Sequence, residues 1–199
     1  MLKRFFDFVF SVLGLCILLP FLLVIAWIVK IDSKGPAFYL QQRVGRGAKL
    51  FNLFKFRTMH VEADKLTAIT VGKRDPRITT IGYYLRKYKM DELPQLINVV
   101  RGDMSLVGPR PELKKFVDLY SDQQREVISV RPGITDLASI EFRNENEMLE
   151  GKADPIEFYI REIMPVKLEL NRQYIQNQSL FLDMKIIFTT LFSIFKKNK

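Results

Sequence analysis

Phe8 to Val29 reads FVFSVLGLCILLPFLLVIAWIV, a stretch without a charged residue and with Pro20 near its middle. About 20 apolar residues are enough to cross a bilayer as a straight helix. A proline inside a helix removes a backbone hydrogen bond and clashes with the preceding turn. The stretch is therefore a kinked span, or a hairpin that dips into the bilayer and returns to the same face. Its flanks bear on that choice. Lys3 and Arg4 precede it, and Lys30, Lys34 and Arg43 follow it. Basic residues mark the cytoplasmic side, so a hairpin satisfies both ends where a span satisfies one. Each arm of such a hairpin, about a dozen residues, is too short to cross alone. A cleaved signal peptide is disfavoured, because the run is long and no small-residue cleavage site follows it.

Beyond this stretch, Asp32-Ser33-Lys34-Gly35-Pro36 is turn chemistry. Phe38, Leu40 and Val44 fall at even spacing before Gly45-Arg46-Gly47, and Leu50 to Arg57 follows, which predicts a short β-hairpin. Residues 61–78 read as a polar loop with a short helix. One helix is expected over Ile81 to Lys87. Another starts near Asp91, with an i, i+3, i+4, i+7 stripe at Leu93, Leu96, Ile97 and Val100, Pro94 in its first turn and Gly102 as terminator. Pro109 to Glu112 is rigid and opens a further helix to about Ser129, broken by Arg131-Pro132-Gly133. Asp154-Pro155-Ile156-Glu157 is a helix-start signature, and that helix runs to Gln176 with a kink at Pro165. Leu180 to Phe195 is strongly apolar and accompanied by Lys185, Lys196, Lys197 and Lys199. It reads either as an amphipathic helix in the bilayer interface or as a core-packed terminal helix.

The chain has 199 residues, 48% of them hydrophobic, which allows one modest domain after the membrane segment. The formal charge of +9 points to an anionic partner. The basic residues are spread along the chain and no nucleic-acid motif accompanies them, which argues against a membrane-tethered nucleic-acid binder. Cys16, the sole cysteine, cannot form an intrachain disulfide, so the rest of the chain suits a reducing compartment. His60, the sole histidine, has no Cys or His partners for a zinc site.

Two segments carry chemistry. Asp91-Glu92 places adjacent carboxylates at a helix start, where free N–H groups favour an ionised aspartate and also draw in phosphate. Such an aspartate can attack phosphorus, and its neighbour can hold Mg²⁺. The plain alternative is an N-cap followed by a first-turn acid. Gly102 to Gly108 brackets a run whose N–H groups could face an anion. Pro109 and Pro111 restrict the backbone around Arg110, and a guanidinium so held suits phosphate.

Lys55-Phe56-Arg57-Thr58-Met59, Asp91-Glu92-Leu93-Pro94-Gln95, Gly102-Asp103-Met104-Ser105-Leu106-Val107-Gly108-Pro109-Arg110-Pro111 and Arg131-Pro132-Gly133-Ile134-Thr135 occur in that order. Together they resemble the bacterial sugar transferase family, the monotopic phosphoglycosyl transferases, in its small catalytic form without the extra N-terminal membrane domain of longer members. The resemblance implies an α+β, mainly α, fold. A re-entrant membrane helix-hairpin over residues 1–31, bent at Pro20, would precede a cytosolic, membrane-associated catalytic domain over 32–199 with a small β-hairpin and interfacial helices. It also implies transfer of a sugar-1-phosphate from a UDP-sugar to polyprenol (undecaprenyl) phosphate, with UMP released. That step opens bacterial glycoconjugate assembly at the cytosolic face of the inner membrane. By the same resemblance Asp91 is the nucleophile of a phosphosugar–aspartate intermediate, and Glu92 is its partner at Mg²⁺. Lys55, Arg86, Pro109, Arg110, Pro111 and Glu112 lie around the substrate phosphates. Three positions depart from the family pattern: Leu19 stands where serine is common, Asp136-Leu137-Ala138-Ser139 replaces Gly-Leu-Ala-Gln, and Asn171 replaces an aspartate. The chemistry is kept at all three. A membrane-anchored scaffold with a decayed site is set aside because neither the Asp-Glu nor the Pro-Arg-Pro motif is broken. The sugar, the glycan pathway and the oligomeric state are not written in the motifs.

Overall fold

The apolar stretch forms most of α1, a helix over Leu2–Asp32 with Pro20 inside it. The computed structural model describes residues 2–61, 63, 70–72 and 75–195. Much of the expected loop at 61–78 lies outside these residues, as do Lys196, Lys197 and Lys199. Most of α1 is bare apolar surface: Ile17, Leu19, Leu23 and Trp27 are all more than half exposed.

Both ends of α1 are tied down. Near its start, Arg4 donates through Nη1 to Val99 O at 2.6 Å and through Nη2 to Val100 O at 3.1 Å. Asp7 accepts from Ser105 Oγ at 2.7 Å and from Leu106 N at 3.1 Å. At the other end Arg57 donates to the carbonyls of Val29, Ser33 and Lys34, which satisfies acceptors left open where a helix stops. Leu22, Ile25 and Val29 bury one stripe of the helix against Phe56 and Leu85.

Strands β1 (Phe38–Val44) and β2 (Leu50–Phe56) form the expected antiparallel hairpin, with Phe38 opposite Phe56 and Val44 opposite Leu50. The evenly spaced Phe38 and Leu40 are on the exposed face. The opposite face, with Tyr39, Gln41, Arg43 and Lys55, borders a polar cavity. Helix α2 (Thr80–Lys87) starts at Thr79, whose side chain accepts from Gly82 N. Lys89 then takes a left-handed backbone, φ 56°, and a single 3₁₀ turn over Met90–Glu92 follows.

Helix α3 begins at Gln95, with Pro94 at its N-cap, and runs to Arg101, where Gly102 terminates it at φ 92° as expected. Asp91 is thus not its cap. The left-handed Lys89 turns the chain before α3 starts. Nor is the buried face of α3 the apolar stripe: Gln95, Asn98 and Val99 are buried, while Leu93, Leu96, Ile97 and Val100 are half-buried. Asn98 Oδ1 accepts from Phe54 N at 2.9 Å and its Nδ2 donates to Asn52 O at 2.8 Å. The free edge of β2 is closed in this way against α3.

Strands β3 (Ser105–Val107) and β4 (Gly133–Thr135) pair in parallel. A Cβ on Gly133 would lie 2.1 Å from Gly108 N, so this approach requires a glycine. Between the two strands the expected long helix is replaced by α4 (Lys114–Val117) and a 3₁₀ segment over Gln124–Ser129. Ser121 accounts for the break: its N–H donates to Gln124 Oε1 at 2.9 Å and its Oγ accepts from Gln124 N at 3.3 Å, which makes a local cap instead of a helix interior.

The helices α5 (Leu137–Glu141), α6 (Glu145–Met148), α7 (Pro155–Phe158) and α8 (Met164–Gln176) complete the main core around Phe116, Leu149, Tyr159 and Ile163. Asp154 caps α7 as its signature predicts, accepting from Ile156 N and Glu157 N. The irregularity near Pro165 is a π-helical segment over Tyr159–Ile163, just before the proline. Helix α9 spans Leu180–Phe195. Asp183 and Ile186 are buried, whereas Phe181, Met184, Phe188, Leu191 and Phe192 form an exposed apolar stripe. The buried face fits the core-packed reading, and the exposed apolar stripe is the face an interfacial helix would use.

Candidate active site

Asp91 and Glu92 are buried on the 3₁₀ turn between α2 and α3, and their surroundings differ sharply. Lys55 Nζ, from β2, lies 3.1 Å from Glu92 Oε1. Arg110 forks onto the same carboxylate, with Nη1 3.1 Å from Oε2 and Nη2 on Oε1. Asp91 Oδ1 is buried without a hydrogen-bond partner. Burial alone would raise the Glu92 carboxyl, but Arg110 and Lys55 hold it well below the usual carboxylate range. Burial, and then the charge of Glu92, push Asp91 up, against the pull of Lys55 and Arg86. The expectation that a helix N-terminus keeps Asp91 ionised is thus corrected. α3 begins four residues later, and the charge on Asp91 depends on side-chain cations.

Arg110 is fixed from below. Its backbone N–H donates to Asp136 Oδ2 at 3.1 Å, and Asp136 Oδ1 caps α5 by accepting from Ser139 N at 2.6 Å. Asp136 is fully buried, so its departure from the family pattern serves the Pro-Arg-Pro turn. Pro109 O accepts from Gly133 N at 2.9 Å, which ties that turn to β4. Pro111 O accepts from Arg43 Nη1 at 3.3 Å.

The anion nest expected over Gly102 to Gly108 does not form. Gly102, Asp103 and Met104 donate their N–H groups to Asn98 O, Ser105 to Pro132 O, Leu106 to Asp7 and Gly108 to Thr135 O. Helix capping, contacts with the β4 segment and the Asp7 side chain consume these donors.

Arg86, at the end of α2, donates to Thr70 Oγ1 at 2.8 Å. Burial lowers its pKa, partly offset by Asp91. Glu112 is placed beside the site, but it holds cations and donors more than anions: Tyr159 OH lies 2.8 Å from Oε1, Arg43 Nη1 lies 3.6 Å from Oε2, and Leu113 N donates to Oε2 at 3.1 Å. Its part is to hold Arg43 in the cavity wall. Sequence reasoning missed Arg43, Asp136 and Tyr159 as members of the site. Arg43 was read only as a topogenic charge; its place on the same strand face as Gln41 was the available signal.

Two cavities meet here. One, of about 440 Å³, is lined by Arg43, Lys55, Arg86, Asp91, Arg110 and Glu112. The other, of about 890 Å³, has mostly apolar walls from α1, α3, β3, β4 and α9. Arg86, Lys89, Glu92 and Arg110 line both. Among the described residues no three His, Cys, Asp or Glu side chains cluster as a metal cage. Adjacent carboxylates with one unpartnered oxygen suit Mg²⁺, which takes one or two carboxylates and leaves its other positions to water and phosphate.

The family model described as bacterial sugar transferase matches residues 1–197. The chain belongs to the bacterial sugar transferase family. The transferase is 42% identical over 153 residues to a putative undecaprenyl-phosphate N-acetylgalactosaminyl 1-phosphate transferase of Bacillus subtilis, covering 77% of this chain and 82% of that protein. It is 38% identical to a UDP-glucose:undecaprenyl-phosphate glucose-1-phosphate transferase of Caulobacter vibrioides, over 96% of this chain and 69% of that one. Against the undecaprenyl-phosphate glucose phosphotransferase of Komagataeibacter xylinus it is 40% identical over 98% of this chain, which spans 36% of that longer protein. The transferase is thus an enzyme of the phosphoglycosyl transferase type.

Proposed function

We propose that this transferase moves a sugar-1-phosphate from a UDP-sugar to polyprenol phosphate in two displacements through Asp91. The observation that carries this reading is the buried, unpartnered Asp91 Oδ1 near the charges of Lys55, Arg86 and Lys89. An Asp91 oxygen attacks the phosphorus that bears the sugar. A P–O bond to Asp91 forms, the P–O bond to UMP breaks, and UMP leaves. A phosphate oxygen of the lipid then attacks the same phosphorus, forming the polyprenyl diphosphosugar and returning Asp91 as carboxylate. Splitting the transfer lets one site serve two substrates in turn.

Arg110, Lys55 and Arg86 offset the repulsion between a carboxylate nucleophile and an anionic diphosphate. Glu92, already paired, keeps the Arg110 fork aimed. Asp91 and Glu92 would hold Mg²⁺, which supplies charge neutralisation at phosphate oxygens. The names of its relatives favour UDP-glucose or UDP-N-acetylgalactosamine as donor, with undecaprenyl phosphate as acceptor. The product would open assembly of a bacterial surface or secreted glycan.

For the membrane segment we favour the re-entrant form bent at Pro20. A 31-residue helix is about 46 Å long at 1.5 Å per residue, ample to cross. But Arg4 and Asp7 at one end and Val29 and Ser33 at the other hold residues of one catalytic domain. A polar domain occupies one side of a bilayer, so both ends belong on the cytosolic side. The exposed stripes of α1 and α9 then enter the bilayer.

The test is intact mass of the purified protein in detergent with Mg²⁺ and each of a panel of UDP-sugars, without lipid acceptor. A gain of one sugar phosphate with one donor, missing in Asp91→Asn, is the expected result. UMP release that occurs only when polyprenol phosphate is added, with no adduct at any time, would replace this route by direct transfer.

A further inference from the structure

We propose that the larger, apolar cavity is a preformed channel for the first isoprene units of the lipid acceptor, and that α9 is its outer wall. This rests on the transfer reading above. Phe10, Leu96, Leu106, Ile134, Ile187 and Leu191 line the cavity. Where it meets the polar cavity it carries Arg86, Lys89, Glu92 and Arg110, with Ser139, Arg143 and Asn146 also shared. An occupant must therefore be apolar along its length and anionic at its head. Phe10 and Leu191 are each about half exposed, at 49% and 50%. The rim of the cavity is thus continuous with the bare apolar faces of α1 and α9. A lipid phosphate could enter from that surface with its tail still in apolar surroundings.

Polar contacts fix α9 beside its apolar seat, where Ile186 is buried with Val107 and Tyr174. Asp183 Oδ1 accepts from Tyr174 OH at 2.6 Å, and its Oδ2 pairs with Lys3 Nζ at 2.7 Å. Thr190 Oγ1 lies 2.6 Å from Thr135 Oγ1 on β4. These fixed points bracket Ile187. The volume of about 890 Å³ has room for several isoprene units, and the rest of a long chain would lie in the bilayer.

The test uses a prenyl phosphate carrying a diazirine on its early isoprene units, photolysed with the full-length protein in lipid nanodiscs and mapped by peptide mass. Label on the α9 peptide around Met184 to Leu191 and around Phe10, displaced by excess undecaprenyl phosphate, is expected. Leu191→Trp, and separately Ile187→Trp, should cut that label several-fold. In turnover they should raise the KM for undecaprenyl phosphate roughly tenfold, the cost of excluding one or two methylenes from an apolar pocket. A ten-carbon prenyl phosphate should be affected less, and the rate of sugar-phosphate capture in the absence of lipid should hold. Label confined to outward residues such as Ile17 and Leu23, and not displaced, would overturn the channel. So would equal losses for long and short acceptors. Displaceable label in the channel of a protein that captures no sugar phosphate from any donor would leave the lipid site standing and overturn the transfer reading instead.

Discussion

The two cavities share a wall and almost nothing else. On the polar side, Glu112 and Glu92 are matched by Arg43, Tyr159, Lys55 and Arg110, while Asp91 Oδ1 is buried without a partner. On the other side the exposed wall is mostly apolar, with Phe10, Leu96, Leu106, Ile134, Ile187 and Leu191 among its side chains, and charged groups such as Lys87, Arg143 and Glu147 also line it. On the proposed route a nucleotide diphosphate would reach Asp91 from the polar side and a prenyl phosphate from the more apolar one. The Glu92–Arg110 pair is the partition.

Experiments that strike the partition should act on both half-reactions, and those behind it on one. The largest effect is expected from Asp91→Asn: adduct formation falls at least about 10³-fold, as for loss of a covalent nucleophile, while circular dichroism and thermal melting stay near the parent's. A melting point many degrees lower would recast Asp91 as structural. Arg110→Ala should follow, with kcat/KM reduced about 100-fold. Both UMP release and transfer to lipid should slow, and a loss confined to one step would remove Arg110 from the partition.

The pH profile sharpens the same comparison. On the proposed route Asp91 must be ionised to attack, and burial with Glu92 beside it raises its pKa. Adduct formation should thus rise with pH through a limb above the ordinary aspartate value of about 3.9. In Glu92→Gln the like charge is gone and Arg110 and Lys55 are released toward Asp91. Both changes favour the carboxylate, so single-turnover kinetics should show the limb at lower pH. A limb that stays or moves up would contradict the assigned cause. Tyr159→Phe, behind the polar cavity, should do least: it removes one hydrogen bond to Glu112, worth about 1 kcal/mol by chemical denaturation. The KM for the UDP-sugar should rise slightly, and that for the lipid should not change.

Much of this was legible along the chain, where the determinant is local. The β-hairpin, α2, the cap at Asp154, the stop at Gly102 and the bounds of α9 each follow from residues within one or two turns of one another. The misreadings share a different cause. The donors of Gly102 to Gly108 were counted as free because their acceptors, Pro132 and Thr135 on and beside β4, are remote in sequence. The segment after Pro111 read as one helix because helical periodicity does not register the Ser121–Gln124 cap. Asp91 was credited to a helix end, and the left-handed Lys89 had no signature such as Gly or Asn to betray it.

By itself, the sequence determined that the chain has an apolar segment with a proline near its middle, an excess of basic residues, and carboxylate and arginine motifs in the order of a sugar transferase. These depend on composition and spacing, which a chain carries before it folds. Only the tertiary structure decided which carboxylate is paired and which is bare, that both ends of α1 hold one domain, and that a polar and an apolar cavity meet at Glu92 and Arg110. Those outcomes depend on distances between residues far apart in the chain, such as Lys55 to Glu92 and Lys3 to Asp183. Burial then changes the cost of each charge according to its neighbours.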